Sequence, residues 1–136
     1  MNHKVEMLIP RKSEYLSVVR LFIAGVANLL HLNSEEIEDL RLAVSEACFG
    51  AMRGDNRESD SGVRIRCHMK DERLRIDIQF GMVMPLRDLS SREPEDEALG
   101  LLLMRNLMDK VEYRVDEKGT EIRLIKFVRS HNNIVQ

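Results

Sequence analysis

Two periods of apolar spacing run along the chain. Residues 4–9 (KVEMLI) alternate sides and stop at Pro10, the period-2 pattern of an opening strand. Ser13 and Glu14 then start a helix. From Tyr15 to Leu30 the residues Leu16, Val19, Phe22, Ile23, Val26, Ala27 and Leu30 fall on one helical stripe. Asn33-Ser34-Glu35-Glu36 supplies an N-cap and an acidic first turn for a second helix. That helix carries Ile37, Leu40, Val44, Ala47, Cys48 and Ala51 on one face and ends near Arg53-Gly54.

A polar turn, Asp55 to Gly62, separates this helix from two alternating runs, Val63 to Met69 and Leu74 to Phe80. With Asp71-Glu72-Arg73 between them, the runs predict a hairpin with one wet face. Pro85 to Asp96 has no periodicity and reads as a loop. Glu97 to Asp109 is helical, with Leu99, Leu102, Leu103, Met104 and Leu107. Val111 to Val115 and Ile122 to Val128 make a second hairpin around Asp116-Glu117-Lys118-Gly119, and the tail frays from Ser130. The element order is β-α-α-β-β-α-β-β. Strands in hairpin pairs with helices that must bury their stripes predict an α+β two-layer sandwich, with a mostly antiparallel sheet and helices on one face.

Composition narrows the function classes. A chain of 136 residues is read as one domain over 1–136, and 43% hydrophobic content suffices for a core. The net charge of −2 gives no electrostatic footprint for nucleic acid or an anionic membrane. Leu21 to Ala27, the longest apolar stretch, is far short of the roughly 18 residues of a membrane span. The charged N-terminus is unlike a signal peptide. Cys48 and Cys67 show no zinc-site spacing and read as reduced, packed thiols. A cytoplasmic protein with protein or small-molecule partners is expected.

Candidate chemistry is sparse. His3, His31, His68 and His131 lack a metal-binding spacing or a nucleophile partner, and no phosphate-binding glycine loop of the P-loop or dinucleotide type occurs. Met82, Met84, Met104 and Met108 read as gap-filling core.

The stretches IEDLRLAVSEAC and LGLLLMRNLMDKV, after the opening MLIPRKSEYLSVVRLFIAGVANLL, resemble the RsbW and SpoIIAB anti-sigma factors. These are serine-protein kinases of the group that unites gyrase, Hsp90, histidine kinases and MutL. The resemblance covers about Val5 to Val128 and implies the histidine-kinase-like ATPase fold. In that family the second helix carries Glu-Ala-Cys-Thr-Asn-Ala, where the Glu activates the attacking hydroxyl and the Asn holds magnesium. Here the match is Glu46-Ala47-Cys48-Phe49-Gly50-Ala51, and Gly50 has no oxygen for a hard cation.

The family's adenine-binding Asp aligns with Phe80, which cannot accept that hydrogen bond. Asp77 lies an odd number of residues earlier and so points to the opposite face of the strand. The family's Gly-Gly-Leu-Gly-Leu lid aligns with Glu97-Ala98-Leu99-Gly100-Leu101. Gly100 and Leu101 remain, but a carboxylate replaces the first glycine, where a helix N-terminus would meet phosphate.

Metal, base and phosphate recognition are thus altered together, and phosphoryl transfer depends on positioning and metal neutralisation. The reading that follows is an anti-sigma-factor-like regulator that binds a sigma factor and/or an anti-anti-sigma protein. No nucleotide cofactor or metal is expected, and Glu46 is a retained base position, vestigial or merely paired with an Arg. The resemblance also implies a homodimer, with Val18 and Leu21 as surplus apolar surface, and partner contacts at Arg20. The alternative is an active serine-protein kinase using Mg-ATP. A third reading gives the vacated pocket (Phe80, Met82, Val83, Met84) to an apolar ligand or a partner side chain.

Overall fold

The alternating and striped segments condense into two layers. The computed structural model describes residues 2–53, 62–81, 94–117 and 119–128. Strand β1 (Asn2–Ile9) passes through a 3-10 turn (Ser13–Tyr15) into α1 (Leu16–Leu29) and then α2 (Ser34–Arg53). The hairpin β2 (Val63–Lys70) and β3 (Arg73–Phe80) follows, then α3 (Pro94–Leu107), then the hairpin β4 (Lys110–Asp116) and β5 (Gly119–Phe127). This is the expected order. Among the described residues the strands form one five-stranded sheet, β1-β2-β3-β5-β4, and every pairing is antiparallel.

Register puts one apolar set on one face. Val63, Ile65 and Cys67 stand opposite Phe80, Ile78 and Ile76, which continue into Thr120, Ile122 and Leu124. All are buried, and the helices cover them with Val19, Ile23 and Ala27 of α1 and Leu40, Val44, Ala47, Cys48 and Ala51 of α2. Both α1 and α3 pack on α2. Arg11 fastens the β1–α1 connection by donating from Nε and Nη2 to the carbonyl of Ala51, at 3.1 and 3.0 Å. That carbonyl lies near the C-terminal end of α2, where a cation is favoured.

Most element ends fall within two residues of the sequence expectation, and three elements differ by more at one end. Ser13 opens a 3-10 turn, and α1 itself begins at Leu16. Helix α3 starts at Pro94 and ends at Leu107, where Glu97 to Asp109 was expected. A proline in the first helical position loses no hydrogen bond, and Glu95, Asp96 and Glu97 suit the first turns of a helix. Strand β5 begins at Gly119 instead of Ile122, because Thr120 turns inward and is buried although polar. Of the expected polar turn Asp55 to Gly62 only Gly62 is described, the part of the expected loop Pro85 to Asp96 before Pro94 lies outside the described residues, and so does the tail from Ser130.

Candidate functional site

Glu46 and Gly50 stand one turn apart on α2 and share a flank of the helix beside its buried stripe. Both are half-buried. Helix α3 brings Gly100 against this flank: a Cβ there would sit 3.1 Å from Glu46 Oε2. The glycine is what lets the carboxylate and the helix backbone come this close. Among the described residues, a Cβ on Gly50 would meet nothing within 4 Å. Leu101 follows Gly100 and is half-buried. Glu97 lies in the early part of α3, and its side chain is outside the described residues, as are Met82, Val83 and Met84.

Phe80 ends β3 between Val63 and Thr120 and is buried on the helix-facing side of the sheet. Asp77 is on the other face. Its carboxylate, 3% exposed, accepts from Arg123 Nε at 2.9 Å and lies 3.3 Å from Arg75 Nη2 and 3.6 Å from His68 Nε2. It therefore cannot reach round to replace an acceptor at position 80. A cleft of about 290 Å³ lies at the same end of the sheet, lined by Phe80, Gly81, Gly119 and Thr120 with Arg64, Gln79, Arg114 and Glu121. Glu46, Gly50 and Gly100 are not among its lining residues.

Arg20, exposed on α1, donates from Nε to Oγ of the buried Ser45 on α2 at 3.0 Å. The bond holds the guanidinium on the seam of the two helices, one residue from Glu46 in sequence. Neither cysteine adds a nucleophile. Burial pushes the thiols of Cys48 and Cys67 up to about 12, and the Asp77 charge adds to the effect at Cys67.

The Ser45 anchor and the Asp77 cluster were not anticipated from sequence. Ser45 was hidden because its partner is 25 residues away on another helix. The cluster had a signal, since alternation alone puts Arg64, Arg66, His68, Arg75 and Asp77 on one side of their hairpin.

The geometry has its counterparts among known proteins. Residues 9–126 match the histidine kinase-like ATPase domain. The serine-protein kinase RsbW of Bacillus subtilis (strain 168) is 32% identical over 137 residues, spanning 91% of this chain and 85% of that protein. RsbW of Bacillus pumilus (strain SAFR-032) is 34% identical over 152 residues, spanning 97% and 93%. Among solved structures, that of the RsbU and RsbW domains of Rv1364c from Mycobacterium tuberculosis has a TM-score of 0.74 at 14% identity. It covers 94% of this chain and 33% of that one, a likeness of fold. The chain belongs to the histidine kinase-like ATPase family, in the group of the RsbW serine-protein kinases. No helix among the described residues is long and apolar enough to cross a membrane.

Proposed function

We propose that this chain is an anti-sigma-factor-like regulator of transcription that works in the cytoplasm by binding a sigma factor and/or an anti-anti-sigma protein, with a vestigial nucleotide site. One observation carries the reading: the position one turn after Glu46 is Gly50, which has no ligating side-chain atom. The residues present do not fit Mg-ATP. A hard cation needs several oxygens, and this flank of α2 offers the Glu46 carboxylate alone between positions 46 and 50. Phe80 presents no acceptor to an adenine amino group. Glu97 puts a carboxylate in the early part of α3, where the resemblance has a glycine and a helix N-terminus would otherwise attract phosphate.

Arg20 supplies the partner contact. Its bond to Ser45 fixes the side chain before a partner arrives, which lowers the ordering cost of an interface arginine. Val18, Leu21 and Leu29, 41%, 73% and 66% exposed, form an apolar ridge along α1 that suits a homodimer. Light scattering at micromolar concentration tests this, and a purely 15.8 kDa species contradicts it.

The decisive partner experiment is calorimetry of the purified chain against the sigma factors and anti-anti-sigma proteins of its own cell, without nucleotide. Binding that Arg20→Glu weakens about tenfold or more is the expected result, in line with interface arginines worth at least 1.4 kcal/mol. The active-kinase reading draws on the retained Glu46 and on the names of the relatives. Transfer of phosphate from ATP to a bound partner would establish it and overturn the vestigial site.

A further inference from the structure

The sheet face turned away from the helices carries a charge pattern that the nucleotide flank does not use. Strand register lays it out in rows. One row crosses the sheet as Glu6, Arg66, Asp77, Arg123 and Glu112, alternating in sign. The next row is Lys4, His68, Arg75, Ile125 and Lys110, and the one beyond it holds Lys70, Arg73 and Phe127. Neither of these two rows contains a carboxylate. The acids beyond them are Asp71 and Glu72 in the β2–β3 turn and Asp109, whose carboxylate accepts from the Phe127 amide at 2.7 Å.

The carboxylates of the alternating row are each shared among several cationic groups. Glu6 takes Arg64 at 2.9 Å and has both Lys4 and Arg66 at 3.7 Å. Asp77 is shared by Arg123, Arg75 and His68. Among the described residues, Arg66 Nε, Arg75 Nε and His68 Nε2 are shut off from solvent without a hydrogen-bond partner. Buried polar groups in that state are costly, and they mark how crowded with cations this face is. The surplus is local, since the whole chain has net charge −2.

We propose that this face docks a carboxylate-rich segment of a partner protein. Carboxylates laid over the Lys4–His68–Arg75 and Lys70–Arg73 rows would pair with the exposed cations of Lys4, Lys70 and Arg73 in charge-assisted bonds. Leu8 and Phe127, 56% and 55% exposed at opposite corners of the face, provide apolar anchors of the kind found in protein interfaces. Nucleic acid fits less well, because Glu6, Asp77 and Glu112 interrupt the cationic field where a continuous phosphate backbone would lie. A second copy presenting the same face would bring cation against cation. The surface lies opposite the helices, so it does not depend on how the nucleotide flank is read.

The test is fluorescence anisotropy of a labelled decaglutamate peptide with the full chain. Saturable binding is expected, weakened about tenfold when NaCl is raised from low salt to about 0.3 M, where the Debye length has fallen well below 10 Å. Lys70→Glu with Arg73→Glu should weaken it by a similar factor with an unchanged melting curve, because both side chains are exposed. Lys12→Glu, on the connection after β1, should leave it unmoved. Absent or non-saturable binding overturns the proposal, as does equal weakening by Lys12→Glu. Displacement of the peptide by duplex DNA at a lower concentration than unlabelled peptide also overturns it and assigns the face to nucleic acid.

Discussion

Gly100 gives up helix propensity for proximity. Replacing a helical glycine by alanine ordinarily adds about 0.5–1 kcal/mol. Here the new methyl would press on Glu46 Oε2 at 3.1 Å, and the carboxylate would have to move. Gly100→Ala should therefore stabilise the Glu46→Ala background by more than it stabilises the parent chain, read by urea denaturation. Equal gains in both would mean that Glu46 does not rest against α3. The resemblance aligns Glu46 and Gly100 with family positions. It could not show that they touch, because that contact depends on how α3 crosses α2.

His68 makes a second residue-scale prediction. Burial lowers its pKa, the neighbouring Arg75 adds to this, and Asp77 opposes, with Lys4 and Arg66 on the lowering side. The folded chain thus binds a proton less readily than the unfolded chain, whose histidine titrates near 6.5. Stability contributed by neutral His68 is present above that value and is lost as pH falls below it. Chemical denaturation from pH 7.5 down to 5.5 should show this fall, and His68→Gln should flatten it. An unaltered slope in the variant would contradict the assignment.

Helix ends show which parts of an element are written in local sequence. At α2 the Asn33 Oδ1 accepts from the Glu36 amide at 2.8 Å, and Glu36 Oε1 accepts from the Asn33 amide at 3.0 Å. This reciprocal capping box was legible from residue types alone. Asn33→Ala should cost about 1 kcal/mol in a thermal or urea melt, and a change below a few tenths would remove the cap from the account.

The end of α1 was not legible in the same way. His31 takes a left-handed φ of 58° where glycine is usual. The Leu32 amide reaches the Ala27 carbonyl at 3.2 Å, and the His31 amide reaches that of Asn28 at 3.1 Å. Burial of Leu32 drives this stop, and burial is a tertiary fact. The early start of α3 was misjudged for the opposite reason. Pro94 and the acids after it are local signals of a helix N-terminus, but they lack the apolar repeat on which the sequence reading relied.

At the scale of the whole molecule, hairpin pairing and the two-layer arrangement followed from the patterns, but the strand order within the sheet did not. Either strand of the second hairpin could have joined β3. The structure joins β5, which is buried along much of its length, and leaves the exposed β4 with Lys110 and Arg114 on the edge. The sheet therefore has a helix side, with Glu46 and Gly100, and an open side rich in arginine and lysine. We propose that the chain is a binder on both sides and a catalyst on neither.

That claim meets its most direct test in titration calorimetry of the full chain with Mg-ATP. A missing metal ligand and a missing adenine acceptor each cost about 1–3 kcal/mol. Two such losses move a micromolar site towards about a millimolar one, since about 1.4 kcal/mol is tenfold. No saturable heat is expected at micromolar nucleotide. A one-site isotherm with a micromolar Kd would contradict it and return the chain to the working kinases.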